Sequence, residues 1–95
     1  MKLLVLVVPR EARDDAEAAL TRAGSIGFTE VAGVHGDGAS GPRFGTRTAP
    51  GVSDLILVAL PEERLEPVRE ALGAVERKLG RPLHAFLLPA EPAWP

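Results

Sequence analysis

Few residues in this chain are equipped for chemistry, and most of them gather around one stretch. Gly33 to Gly51 reads G-V-H-G-D-G-A-S-G-P-R-F-G-T-R-T-A-P-G, with six glycines, two prolines and two arginines. A glycine-rich backbone lets amide groups come close to an anion, and Arg43 and Arg47 carry the planar forks that grip phosphate or carboxylate. His35 and His84 are the only imidazoles. With Glu30 or Asp37 they would make a sparse metal set, and no H-x-x-x-H spacing joins them. The alternative is an anion contact at His84 and a hydrogen-bonded strand-end position at His35. Gly36-Asp37-Gly38-Ala39-Ser40-Gly41 fits G-x-G-x-x-G after a strand. A dinucleotide fingerprint needs a helix to begin there, and Pro42 to Gly45 denies it one. A weaker role, a nest of amides for phosphate, stays open. Asp14-Asp15 and Glu62-Glu63 fall in the first turns of helices, where the dipole favours acids, so catalytic pairing is a poor account of them. Ser40 has no histidine base near it in sequence. No catalytic residue and no metal set is therefore assigned.

Composition narrows the classes further. Ninety-five residues allow one domain. A net charge of −2 argues against a protein held to nucleic acid or to a membrane surface by bulk electrostatics. With no cysteine, disulfides, thiolate catalysis and cysteine-bound metals are excluded. No apolar run approaches the ~18 residues of a membrane span. The start, Met1 to Val8, is followed by Pro9-Arg10-Glu11 with no small-residue cleavage site, so it reads as a strand and the expected location is the cytoplasm.

The elements that must position these residues follow from hydrophobic spacing. Lys2–Val8 is a short apolar run rich in Val and Leu, a strand that Pro9 ends. Glu11–Ala23 carries Ala12, Ala16, Ala19, Leu20 and Ala23 at helical spacing, with Gly24 just past its end. Phe28–His35 returns as a strand. After the long loop, Asp54–Leu60 is a further apolar strand closed by Pro61. A helix follows within Glu62–Leu79, on a stripe of Leu65, Val68, Leu72, Val75 and Leu79. Pro67 places its regular start nearby, behind a tight turn. Gly80 stops this helix, Leu83–Leu88 is the last strand, and residues 90–95 form a proline-rich tail.

A shift of 52 positions (55 minus 3) lays Leu3-Leu4-Val5-Leu6-Val7-Val8-Pro9 on Leu55-Ile56-Leu57-Val58-Ala59-Leu60-Pro61, Glu11 on Glu63, Ala19 on Ala71 and Leu20 on Leu72. Each half is strand–helix–strand, with the long loop between them. Two such units predict an α+β, ferredoxin-like βαββαβ sandwich with a four-stranded antiparallel sheet and both helices on one face. Two helices cover one sheet face only, so strands of a lone copy should alternate apolar with polar residues. Leu3–Val8 and Leu55–Leu60 are apolar on both sides, and each uncovered Leu or Val forgoes about 1.5–3 kcal/mol. Self-association through the open face is the expected remedy, because residues 90–95 are too few to cover it.

Strand–helix–strand, long loop, strand–helix–strand, with Thr29-Glu30-Val31-Ala32-Gly33 before the loop, resembles the PII signal-transduction family. The likeness is concentrated at Thr29–Gly33, at Pro61-Glu62-Glu63, and at His84-Ala85-Phe86-Leu87-Leu88-Pro89, which is similar to the family's K-I-F-V-x-P. It implies a homotrimer whose three sheets pack together, a T-loop at residues 36–52 that touches a partner protein, and adenine nucleotides (ATP, ADP or AMP) in clefts between subunits. Residue by residue, Thr29, Gly33 and Gly36 would line the cleft at the loop root. His84 stands where the family places a phosphate-contacting lysine, and Lys78 and Arg81 match its second cleft loop. His35, Arg43 and Arg47 join them as ligand-binding candidates by their place in the loop. The second loop is short here, Lys78-Leu79-Gly80-Arg81-Pro82, and lacks T-G-x-x-G-D-G. The C-terminal arginines are missing, no tyrosine exists for modification, and the loop lacks the glutamine used with magnesium and 2-oxoglutarate.

The expectation is a divergent PII-like regulatory protein rather than an enzyme, requiring no cofactor. It would sense a small anionic effector, most readily an adenine nucleotide, between subunits and signal through residues 36–52 to an unknown target protein. Neither nucleic acid nor membrane insertion is expected. The rival reading is a CutA-like trimer that binds divalent metal. A ferredoxin-like enzyme or chaperone subunit with the loop as lid is a further alternative, which the lack of a credible acid–base pair disfavours.

Overall fold

The computed structural model describes residues 1–25, 27–38, 41–43 and 52–94. Strand β1 (Lys2–Pro9) leads through a 3-10 turn, Arg10–Ala12, into helix α1 (Arg13–Arg22). Strand β2 (Thr29–Val34) follows, then a short antiparallel ribbon of β3 (Gly36–Gly38) and β4 (Gly41–Arg43). The second half repeats the plan: β5 (Ser53–Leu60), a 3-10 turn at Glu62–Arg64, α2 (Leu65–Leu79) and β6 (His84–Pro89). The main sheet runs β2-β5-β1-β6 and every neighbouring pair is antiparallel. This is the ferredoxin-like α+β fold expected from the sequence.

Helix α1 starts later than the expected Glu11, at Arg13, whereas α2 starts at Leu65 behind a tight turn, as the stripe and Pro67 predict. Each proline that ends a central strand is followed by one tight 3-10 turn before the α-helix begins. In α2 this leaves Pro67 in the first turn, where backbone N–H groups have no carbonyl to reach and a missing one costs little. Gly80 ends the same helix in the left-handed region at φ 77°, with its N–H donating to the Glu76 carbonyl at 3.0 Å.

Strand pairing sorts the side chains into two faces. Leu4, Leu6 and Val8 of β1 and Ile56, Val58 and Leu60 of β5 are buried under Ala16, Ala19 and Leu20 of α1 and Val68, Leu72 and Val75 of α2. The positions between them point the other way. In register, Phe86, Val5, Leu57 and Thr29 form one row across that far side, and His84, Val7, Leu55 and Val31 form the next. No helix among the described residues covers it, and Phe86 (65% exposed), Leu88 (48%) and Val31 (45%) stand open. The proline-rich tail does not close the gap. Ala90 N–H bonds the Met1 carbonyl at 3.2 Å, which carries the chain off the sheet's end, and Trp94 is exposed.

Candidate functional site

The root of the long segment is held by a buried carboxylate that the apolar pattern hides. Asp54 pairs with Val8 across β5 and β1, so period-two alternation sends its side chain to the helix-covered face beside Ile56. A fully buried carboxylate needs compensation. Arg10 supplies it as a fork: Nε donates to Oδ2 at 3.1 Å and Nη2 to Oδ1 at 2.5 Å. The Gly33 N–H donates to Oδ1 at 3.0 Å, and Arg13 Nη1 lies 3.7 Å from Oδ2. The Arg10 hydrogen bond, helped by the Gly33 amide and the charges of Arg10 and Arg13, holds the Asp54 carboxyl below the usual range against the opposing effect of burial. Arg10 also ties the other side of the root, its backbone N–H donating to the Val52 carbonyl at 2.7 Å. One cluster thus grips residues 33 and 52, on either side of residues 36–51.

Gly33 can serve there because its φ of 72° is open to glycine and strained for most side chains. It lies at an irregularity in β2, where pairing with β5 shifts between Val31 and Val34. On the helix-facing side of β2, Glu30 has Oε1 3.7 Å from Arg13 Nη1, which makes Arg13 a bridge between Glu30 and Asp54.

The ligand candidates read from sequence fall into separate groups. Thr29, Gly33, His35 and Gly36 run along or just beyond β2, with Thr29 on the uncovered face and His35 exposed. Gly36 pairs with Arg43 at the base of the short ribbon. Arg47 lies outside the described residues, as does the Arg43 side chain. Lys78 and Arg81 sit by the start of α1, where Lys78 Nζ lies 3.1 Å from Asp15 and Arg81 Nη2 bonds Glu11. His84 opens β6 across from Val7, exposed on the uncovered face. Strands β2 and β6 are opposite edges of the sheet, three strand spacings or about 14 Å apart. A single chain therefore does not bring His84 to His35 or Gly33. Among the described residues no group of three or more His, Cys, Asp or Glu is placed to hold a metal ion.

The glycine motif forms the β3–β4 ribbon and not a helix start, so its backbone lacks the geometry of a dinucleotide turn. A groove of about 450 Å³ between α2 and β6 is lined by leucines, with Arg69 and Glu76 among them, and none of the candidate residues reaches it. Sequence reasoning passes over Arg10, Arg13 and Asp54, and considers Glu30 only as a metal partner for the histidines. Asp54 carried a usable signal: it continues the alternation of Ile56, Val58 and Leu60, and an acid on a buried face demands a cation.

No family model matches the sequence, and no curated protein matches it. Solved structures do match. The chain is similar to CPII, a nitrogen regulatory PII-like protein from Thiomonas intermedia K12, in a structure bound to ADP, AMP and bicarbonate. The TM-score is 0.76 at 25% identity, over 92% of this chain and 82% of that one. CPII bound to ADP and bicarbonate gives the same figures. The apo form of CPII shares the fold, with TM-score 0.71 at 22% identity over 92% of this chain and 85% of that one. No helix among the described residues is long and apolar enough to cross a membrane.

Proposed function

We propose that this chain, PII-like in fold and divergent in sequence, is a non-enzymatic regulator that forms a homotrimer and binds an adenine nucleotide between subunits. The observation that carries this reading is the division of the candidate residues between opposite edges of one sheet whose far face is apolar and uncovered. Thr29, Gly33, His35 and Gly36 lie on the β2 edge. Lys78, Arg81 and His84 lie at the β6 side, at the same end of the sheet. Burying the open faces of several copies against one another sets a β2 edge beside a neighbour's β6 edge, and the two half-sites then face each other. Cations from one copy would meet phosphate on one side while backbone amides and loop arginines approach it from the other. The ADP and AMP bound by CPII support an adenine nucleotide as the class of ligand. The short second cleft loop and the missing glutamine argue against 2-oxoglutarate.

Signalling would run through residues 36–52, whose arrangement a nucleotide selects and a target protein reads. The ligand shifts that equilibrium only by binding one arrangement better than another. The Arg10–Asp54–Gly33 cluster is the fixed end from which such a shift is measured. A thermal-shift series with ATP, ADP, AMP, 2-oxoglutarate, bicarbonate, copper and zinc tests the reading, repeated with Arg47→Ala and His84→Ala. An adenine nucleotide should raise the melting temperature, less so in the variants. Protection by copper or zinc alone would favour the CutA-like alternative. Equal nucleotide protection in wild type and both variants would refute the site.

A further inference from the structure

Glu30 has an oxygen that the loop-root cluster does not satisfy. Its side chain lies on the helix-facing side of β2, opposite Ile56, and Oε2 is buried with no hydrogen-bond donor among the described residues. Such an orphan is unusual, because a buried acceptor without a donor is destabilising. Arg13 at 3.7 Å from Oε1 offers charge but is too far for a hydrogen bond. What does face Glu30 is a second acid. Glu17 follows Arg13 by four residues on α1, hence on the same side of the helix, and its carboxyl group meets that of Glu30. Two carboxylates are both acceptors, so their contact becomes a hydrogen bond only when one of them carries a proton.

We propose that a proton held on Glu17 and donated to the orphan oxygen of Glu30 fastens β2 to α1, and that losing this proton loosens the root of residues 36–52 by way of Arg13. The surroundings fit this assignment. The hydrogen bond to Glu30 is the main reason the Glu17 carboxyl titrates above its ordinary range, followed by burial and by the negative charge of Glu30. Asp14 adds to the effect and Arg13 opposes it. The remaining charged neighbours are Arg10 from the turn and Asp54 from β5, already forked together. Lys78 of α2 lies on Asp15, and Arg81 from the connection after α2 lies on Glu11. When Glu17 ionises, two like charges face each other across the α1–β2 seam. Arg13, midway between Glu30 and Asp54, is then drawn toward Glu30 and away from the carboxylate that holds the Gly33 amide.

The direction is set by linkage. A carboxyl group whose folded pKa is raised stabilises the fold fully below the unfolded value, about 4.3 for glutamate, and loses that contribution as pH rises through the folded value. Protection of β2 should therefore fall as pH rises. Residue-resolved hydrogen exchange on the full chain, corrected for intrinsic rates between about pH 4 and about pH 8, reads this directly. In wild type the protection of the Val31 to Gly33 amides should drop threefold or more, with no matching drop in β1. Glu17→Gln offers Glu30 an amide donor at every pH and should abolish the dependence. Glu17→Ala offers none and should keep β2 poorly protected throughout. His35, just beyond β2, is retained in both variants, so it cannot account for a difference between them. Wild-type β2 protection that does not change with pH, or a dependence that survives Glu17→Gln, would overturn the protonated pair. No nucleotide enters the experiment, so its result is separate from that of the effector reading.

Discussion

Replacing Phe86 by aspartate should take the proposed trimer apart while leaving each copy folded. Phe86 projects from β6 on the side away from the helices, in the row it shares with Val5 and Leu57. In a single copy it is 65% exposed. A fully buried aromatic side chain accounts for about 150–250 Å². About 100–160 Å² of Phe86 thus still awaits cover, worth about 2.5–4 kcal/mol per copy at about 25 cal/mol per Å². Three copies would lose about 8–12 kcal/mol together, before the penalty of burying a carboxylate is added. Interfaces return only part of such area-based figures. Even a third of the loss, about 3 kcal/mol, is a hundredfold or more in association. Within one copy the change should alter stability by only about 0.5 kcal/mol, because the side chain already faces water.

The assay is light scattering coupled to size exclusion at about 10 µM, with far-ultraviolet circular dichroism to verify folding. Wild type should run near three times the 10.0 kDa subunit mass. Phe86→Asp should run as a folded single copy. Wild type at 10.0 kDa would refute the covering of the open face and with it the composite nucleotide site. A Phe86→Asp protein that keeps the wild-type mass would show that the copies meet through another surface.

Leu20→Ala should cost about 2–5 kcal/mol in urea denaturation, because Leu20 is completely buried between the helices and the sheet and its removal leaves a cavity. Asp54→Asn should lower stability at neutral pH by about 1–2 kcal/mol, since the Arg10 fork loses its charged acceptor. Because the Asp54 pKa is depressed in the fold, its contribution is present above the unfolded carboxylate range and is lost as pH falls through the folded value. The variant's stability curve should accordingly converge on wild type in acid, and a constant gap across pH would contradict the pairing. Gly33→Ala should destabilise the loop root by about 1–2 kcal/mol, seen as faster exchange of residues 31–34 with little effect on β1, because alanine resists a φ of 72°.

What the sequence made legible was periodic. Leu4, Leu6 and Val8, and their counterparts Ile56, Val58 and Leu60, announced strands, and the spacing of Val68, Leu72 and Val75 announced a helix. In each case the signal repeats and the structure buries it. Pro9, Pro61 and Gly80 marked ends because their backbone chemistry is local. The apolar residues between the buried ones, Val5, Leu57 and Phe86, foretold an uncovered face because they break the alternation that a lone sheet requires. The Arg10–Asp54 fork was not foreseen because it joins positions 44 residues apart, and no periodicity encodes such a pairing. Strand register alone makes them neighbours. The Glu17–Glu30 contact was hidden likewise, since it depends on how a helix turns over an edge strand. His84 reads from sequence as an anion contact on the last strand, and only the strand order shows that it lies on the far edge from Gly33.

The internal repeat explains why these two kinds of information separate. The helix-facing apolar positions that match under a shift of 52 residues build the framework: Leu4 with Ile56, Leu6 with Val58 and Leu20 with Leu72 are all buried. At the loop-root cluster they disagree at every position. Asp54 corresponds to Lys2, Arg10 to Glu62, Arg13 to Leu65, Glu17 to Arg69 and Glu30 to Pro82. A twofold-like framework built from apolar residues tolerates a different charge pattern at each end, provided a buried charge such as Asp54 keeps its counter-ion. Breaking the symmetry at one end alone places a buried carboxylate, its guanidinium fork and a titratable acid pair where the long segment leaves the sheet. The fold thus follows from what the halves share, and the fastening of the loop root from where they differ. Giving each position the residue of its repeat counterpart, Arg10→Glu with Asp54→Lys, keeps the pair's charges complementary but reverses them. The Gly33 N–H then faces an ammonium group instead of a carboxylate. Exchange at residues 31–34 should rise while the β1 core stays protected, which separates the loop-root role of the cluster from any part it plays in global stability.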